Sequence, residues 1–195
     1  MSTALIIIDM QIAGSDPSLG ERGQPEAEAN AGRLLAAWRE AGEPIIHIRH
    51  DDMNPDSPYA PGKPGHAFRK EVAPLPHEEV VEKRTTNAFV GTDLMQVLEG
   101  HNADTIVVCG VHLEHCVGTT ARMAGNLGFL VYLAADATAS LSNQTKDGQT
   151  WSAEDIHSMM TAVLDGDFVK VSNTTTMLEL IGVADGARPD GVTLQ

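Results

Sequence analysis

The sequence lacks the features that mark secreted, membrane-spanning or disulfide-rich proteins. It has only two cysteines, Cys109 and Cys116, which form neither an even-spaced framework nor a C-x-x-C pair, so disulfide scaffolding and structural zinc have no support. No apolar run approaches the roughly 20 residues that a bilayer span needs. No basic leader precedes the first apolar segment. We therefore expect a soluble protein of the reducing cytoplasm.

Positive charge is also scarce. The chain has 13 lysines and arginines against 27 acidic residues, so its formal net charge is −14, and the basic residues are scattered. Such a chain repels phosphate backbones and anionic membrane surfaces, which excludes nucleic acid and membranes as expected partners. The acidity itself says little about the substrate, because a negative surface is commonly a solubility feature.

The sequence does contain a regular alternation of short apolar runs and amphipathic segments. The patterns predict strands over 4–8, 44–49, 79–83, 105–111, 129–135 and 168–171, and helices over 26–41, 92–99, 116–127 and 152–164. Strands that alternate with helices indicate a parallel sheet covered on both faces. We predict an α/β fold, a doubly wound three-layer α/β/α sandwich, with residues 1–195 forming a single domain.

One connection is long and unusual in composition. Residues 51–76 contain six of the ten prolines together with Gly62 and Gly65. Core elements resume on both sides of this segment, so we interpret it as a long ordered loop and not as a linker between domains.

Within the elements, Thr92 and Ser152 are the predicted N-caps of the helices that follow them.

Two predicted strands lead to residues that can carry chemistry. In doubly wound sheets, ligands bind beyond the carboxyl ends of the strands, at the point where the strand order reverses. Asp9 ends the first strand, and Cys116 follows the strand that ends at Val111. If these strands flank the reversal point, the two side chains converge. A thiolate at Cys116 could then be favoured by Asp9 as base, by Lys83 as cation and by the predicted helix N-terminus.

Each of these residues also has a plain structural interpretation. An aspartate after an apolar strand is often a cap or a loop anchor, a lone cysteine is usually a small core side chain, and Lys83 alone would be a solvated lysine. We interpret Cys109, inside a strand, as core. A nucleotide-binding domain would instead require a glycine-rich turn after the first strand, and residues 10–14, Met-Gln-Ile-Ala-Gly, do not match it.

Three sequence blocks carry a more specific resemblance. Residues 5–11 read Leu-Ile-Ile-Ile-Asp-Met-Gln, Glu82-Lys83 is followed by 87–89, Asn-Ala-Phe, and residues 110–117 read Gly-Val-His-Leu-Glu-His-Cys-Val. In this order, the blocks resemble the signatures of isochorismatase-like cysteine hydrolases, the superfamily of isochorismatase, nicotinamidase and N-carbamoylsarcosine amidohydrolase. The match extends over roughly residues 4–172.

The resemblance implies a six-stranded parallel sheet and a catalytic triad of Asp9, Lys83 and Cys116. It also implies a cis peptide between Val111 and His112, where the bend would aim the backbone amides of His112 and Cys116 into an oxyanion hole. Relatives more often have a small or hydroxyl residue at position 112, so His112 is expected to alter substrate choice. Family members are commonly dimers or tetramers, and we expect a homodimer or homotetramer here.

The remaining candidates concern the substrate pocket and a metal. The candidate pocket residues are Gln11, His50, Phe89, His115 and Trp151. His47 and His50 suggest a metal, since nicotinamidase-type relatives bind a divalent ion, but residues three apart on a strand face opposite sides and the relatives' Asp-x-His block has no clear counterpart. We expect neither a metal nor a cofactor. His115 is not expected to pair with Cys116, because neighbours on a helix do not face each other.

The expected reaction is hydrolysis of an amide or ureide C–N bond of a small molecule through a thioester on Cys116. Two alternatives stay open. Isochorismatase-type cleavage of a vinyl ether does not require the cysteine step in family members. A non-catalytic binding protein of the same fold would be expected to have lost a triad residue, whereas this chain has all three.

Overall fold

The computed structural model describes residues 2–166 and 169–182. The strands are β1 (Ser2–Ile8), β2 (Ile45–His50), β3 (Glu79–Lys83), β4 (Ala103–Val111), β5 (Leu130–Ala139), β6 (Asn143–Gln144), β7 (Thr150–Trp151) and β8 (Lys170–Ser172). The helices are α1 (Ala27–Ala41), α2 (Leu94–Gly100), α3 (Gly118–Asn126), α4 (Ala153–Leu164) and α5 (Thr174–Gly182). Within these residues, none of the helices is long and apolar enough to cross a membrane.

Six strands form one parallel sheet in the order β3-β2-β1-β4-β5-β8. The chain builds outward from β1 in one direction and then returns to build from β4 in the other, which places the reversal point between β1 and β4. This arrangement confirms the predicted doubly wound α/β fold. The single-domain prediction over residues 1–195 extends beyond the described residues and stays a prediction.

Both faces of the sheet are covered. The side chains of β1 alternate between two cores, with Ile6 and Ile8 on one face and Leu5 and Ile7 on the other. Helices α2, α3 and α4 contribute buried residues to the first core, and α1 and α5 contribute to the second. Because both faces are buried, the strand reads as a continuous apolar run.

The C-terminal half differs from the prediction in two connected ways. β5 was expected to stop before Asp136 but continues to Ala139, and the Oδ1 of Asp136 accepts hydrogen bonds from Thr174 N (2.7 Å) and Thr174 Oγ1 (2.9 Å). Those bonds lie at the start of α5, a helix that was not predicted. A register shift between Val108 and Gly110 lets the longer β5 stay paired with β4.

Smaller differences concern element boundaries. α2 begins at Leu94 with Asp93 as its N-cap position, although the Thr92 hydroxyl does accept a hydrogen bond from Leu94 N (3.3 Å). Ser152 caps α4 as predicted. The exposed hairpin of β6 and β7 was not predicted, since its residues have no apolar alternation. The last strand is described from Lys170, and its predicted start at Phe168 lies outside the described residues.

Gly110 permits the closest approach of β4 to β1. A Cβ at this position would collide with the backbone carbonyl oxygen of Ile8, and its φ of 142° is one that other residues rarely adopt. We expect Gly110→Ala to lower the free energy of unfolding by at least about 2 kcal/mol. Urea denaturation would measure the loss. The control is Gly100→Ala, where a Cβ meets nothing within 4 Å. Equal stability of the two variants would contradict this account of Gly110.

Candidate active site

Asp9 is presented by a sharp turn at the end of β1. Its backbone amide still donates to Ile48 O (3.0 Å), in line with the parallel pairing of β1 and β2. Its φ is 52°, in the left-handed region that aspartate tolerates better than most residues. The side chain is only 2% exposed, and Oδ1 is buried without a hydrogen-bond partner among the described residues. A carboxyl oxygen with an unused acceptor site therefore lies inside the protein.

The Lys83 side chain contacts residues from three other segments at the carboxyl ends of the sheet strands. It is the last residue of β3 and is 1% exposed. Its Nζ lies 2.6 Å from Asp9 Oδ2, 3.2 Å from Cys116 Sγ and 3.2 Å from His50 Nδ1. An ammonium group has three N–H donors and no acceptor, so these contacts match its full donor capacity. Asp9, Lys83, Cys116 and His50 therefore form one connected group.

Cys116 lies in a turn whose geometry differs from the prediction. It was expected to begin a helix, but it belongs to a π-helical turn, Leu113–Val117, and α3 begins only at Gly118. The missing side chain of Gly118 makes this junction possible, since a Cβ there would lie 2.5 Å from Leu113 O. Single π turns occur frequently at functional sites. The sulfur is half-buried beside Lys83.

The electrostatics of the site keep the resting thiol protonated. Burial and, to a smaller extent, the charge of Asp9 raise the pKa of Cys116 to about 12, and Lys83 opposes both only in part. The sequence suggested that a base, a cation and a helix N-terminus could each favour the thiolate; Lys83 does lower the pKa of Cys116, but burial and the charge of Asp9 raise it more. Desolvation of the sulfur and the nearby carboxylate outweigh the single cation.

The loop between β4 and the nucleophile has the cis peptide that the resemblance implied, between Val111 and His112. The His112 ring is buried, and its Nε2 lies 3.1 Å from Gly14 O. Gly14 has no room for a side chain, since a Cβ would lie 2.9 Å from Val111 Cγ2 and 3.2 Å from the Tyr59 hydroxyl. Burial lowers the pKa of His112. The turn after β1 is thus packed directly against the cis peptide.

Gln11, a candidate pocket residue, is buried and binds the main chain of two neighbouring segments. It is 1% exposed, and its Oε1 accepts from His50 N (2.8 Å). Its Nε2 donates to His50 O (3.1 Å) and to His66 O (3.0 Å). Both amide donors are therefore used by the main chain. Gln11 therefore holds the end of β2 and the proline-rich loop together, and its predicted role in the substrate pocket stays a prediction.

Three other candidates are not part of the hydrogen-bonded group of Asp9, Lys83, Cys116 and His50. Phe89 stacks on Phe129 with ring centroids 6.4 Å apart, whereas His115 and Trp151 are exposed. In the described part of the chain, none of the three makes a hydrogen bond, ion pair or ring contact with Asp9, Lys83 or Cys116. Their role in a pocket stays a prediction.

The proline-rich loop supplies groups that the sequence did not single out as a pair. His66 Nε2 lies 2.6 Å from Asp51 Oδ1, which anchors the loop near the end of β2. Tyr59 packs edge-on against His50, with ring centroids 5.5 Å apart. Residues 51 and 66 are separated by irregular chain, so no periodic pattern could have indicated their contact.

The two histidines of β2 do not come together as metal ligands. His47 is buried and its Nε2 lies 3.0 Å from Glu78 Oε2, while His50 contacts Lys83, so the two rings have separate partners. Among residues 2–166 and 169–182, His, Cys, Asp and Glu side chains form no group of three or more suited to holding a metal ion. The metal-independence of the protein stays a prediction.

Comparison with known proteins defines the class of the enzyme. Residues 3–167 match the family model described as "Isochorismatase domain". The chain is 37% identical over 175 residues to the isochorismatase family protein YrdC of Bacillus subtilis, covering 90% of this chain and 94% of that protein. The fold and the family match together place the chain among hydrolases. It belongs to the isochorismatase family.

Two further relatives extend this similarity. The crystal structure of an isochorismatase-family protein from Chromobacterium violaceum has a TM-score of 0.89 and 45% sequence identity, covering 93% of this chain and 94% of that one. Streptothricin hydrolase of Streptomyces noursei is 37% identical over 140 residues, covering 70% of this chain and 49% of that protein.

The raised pKa predicts how Cys116 reacts with an alkylating agent. Because the thiolate fraction rises tenfold per pH unit below the pKa, we expect the rate of alkylation by iodoacetamide to rise about tenfold per unit from about pH 7 to 10. Mass spectrometry would follow the modification. Cys116→Ser is the control, since only fully buried Cys109 then remains. A rate that levels off below about pH 9 would contradict the raised pKa.

Proposed function

We propose that this hydrolase cleaves an amide or ureide C–N bond of a small molecule through a thioester on Cys116, with Asp9 as proton acceptor and donor and Lys83 as supporting cation. The observation that carries the proposal is the position of one buried ammonium nitrogen, in contact with both the Asp9 carboxylate and the Cys116 sulfur. We further propose a cytoplasmic homodimer or homotetramer with no nucleic-acid or membrane partner.

The first step forms the thioester. The Cys116 sulfur attacks the carbonyl carbon while the thiol proton moves to Asp9, and the carbonyl electron pair moves onto oxygen. The backbone amides of His112 and Cys116 are the proposed donors to that oxyanion. Collapse of the tetrahedral intermediate breaks the C–N bond, and the departing amine takes the proton from Asp9.

The second step releases the acid. A water molecule attacks the thioester carbon as Asp9 accepts one of its protons, and the same donors stabilise the second oxyanion. The C–S bond breaks, and the proton on Asp9 returns to the Cys116 sulfur. The balance is one amide and one water consumed, and one carboxylic acid and one amine or ammonia produced.

The protonated resting thiol fits this sequence of events. The raised pKa makes the resting thiol a weak nucleophile at neutral pH, so we expect proton transfer to Asp9 to accompany attack on the carbonyl. Lys83 contacts both groups and therefore stabilises negative charge on whichever of them carries it. Burial of the pair strengthens that electrostatic contribution relative to water.

The test is hydrolysis of a panel of small amides, ureides and isochorismate, with mass spectrometry for an acyl-enzyme. We expect Cys116→Ala to lower kcat by roughly 10³-fold or more and to abolish the acyl-enzyme, because the covalent step is lost. Cys109→Ala is the matched control and is expected to retain activity, since Cys109 is buried in β4 away from the site. Undiminished turnover of isochorismate by Cys116→Ala would instead support vinyl ether hydrolysis.

A further inference from the structure

The surroundings of His50 determine which of its two ring nitrogens carries the hydrogen. The Lys83 ammonium, ion-paired with Asp9 at 2.6 Å, has only N–H donors to offer. Its 3.2 Å contact with His50 Nδ1 therefore requires a lone pair on Nδ1. In a neutral imidazole the hydrogen then lies on Nε2. Lys83 thus selects the tautomer of His50 in which Nε2 is a donor.

The ring is also held in place. Gln11 binds both the backbone N–H and the backbone C=O of His50, and Tyr59 packs edge-on against the ring. In the described part of the chain, His50 Nε2 has no hydrogen-bond partner. The atom is also not fully buried, so it is accessible. Nδ1 of the same ring and Cys116 Sγ both lie 3.2 Å from Lys83 Nζ. The imidazole that carries this accessible N–H donor therefore contacts the same ammonium group as the nucleophile.

The charges around the ring favour its neutral form. Burial and then the positive charge of Lys83 lower the pKa of His50, and the carboxylates of Asp9, Asp52 and Asp51 oppose the shift only in part. Asp51 is paired with His66, and Asp52 accepts from Asn54 N (2.9 Å). An uncharged donor with carboxylates nearby suits an uncharged oxygen acceptor better than a second carboxylate.

We propose that His50 is a substrate-binding residue whose Nε2–H donates a hydrogen bond to an uncharged oxygen of the substrate next to the scissile bond, such as a second amide or ureide carbonyl. This inference rests on the proposed C–N bond hydrolysis. It adds a specificity requirement to that reaction, because a substrate without the second acceptor leaves the donor unpaired on binding.

Two variants test the roles of the two ring nitrogens of His50 separately. In His50→Asn, the side-chain oxygen can take the place of Nδ1 as acceptor for Lys83, while the Nε2–H donor is lost. In His50→Gln, the longer amide can supply a donor near the Nε2 position, while the acceptor for Lys83 is lost. Both variants are compared with the wild type in kcat and KM on a hydrolysed amide from the panel, and in the pH profile of Cys116 alkylation.

We expect one variant to change kcat/KM and the other to change the pH profile of Cys116 alkylation. His50→Asn should keep the wild-type alkylation profile and lose roughly 5- to 50-fold in kcat/KM, as expected for one unpaired donor–acceptor contact. His50→Gln should shift the alkylation profile and keep KM near the wild-type value. Wild-type kcat/KM in His50→Asn would overturn the inference, and so would equal changes of both readouts in both variants, which indicate packing alone.

The same experiments distinguish a failure of the inference about His50 from a failure of the proposed thioester mechanism. If wild-type enzyme forms an acyl-enzyme on Cys116 and only the His50 variants behave unexpectedly, the inference about His50 is wrong and the thioester mechanism stands. If the wild type forms no acyl-enzyme and Cys116→Ala turns over substrate normally, the thioester mechanism is wrong, and the inference falls with it.

Discussion

The site depends on one buried ammonium group. Lys83 Nζ has three N–H donors and three acceptors within 3.2 Å, contributed by Asp9, His50 and Cys116. A buried charge is stable only where it is paired and hydrogen-bonded. Removal of any one of these acceptors would therefore leave part of a buried charge without compensation. The residues that carry the chemistry thus also satisfy the cation on which they depend.

The sheet explains how these groups meet although they are far apart in sequence. They lie at or just beyond the carboxyl ends of β1, β2, β3 and β4, which are neighbours in the parallel sheet. Gly110 allows β4 to approach the carbonyl of Ile8, and Gly14 allows the turn after β1 to pack on the cis peptide. Because Gly110 and Gly14 have no side chains, the backbone segments can approach closely enough to form the site.

The sequence was sufficient to predict features that depend on local patterns. Apolar runs predicted the sheet strands, and three blocks in order predicted the convergence of Asp9, Lys83 and Cys116. It did not predict features that depend on distant contacts. Asp136, in the extension of β5, binds Thr174 at the start of α5, and the π turn at Cys116 brings Leu113 O close to Gly118. The raised pKa of Cys116 follows from burial, which becomes evident only when the chain is folded.

The contacts of Gln11 have a consequence for how such an enzyme can change its substrate. Gln11 binds His50 and His66 only through their main-chain atoms. Main-chain groups are the same for almost any amino acid, so this attachment places little restriction on the side chains of the proline-rich loop. Those side chains can diverge while the strand end that carries His50 stays fixed. The buried amide of Gln11 therefore helps to hold the strand end near the reacting groups in a way that does not depend on the loop side chains.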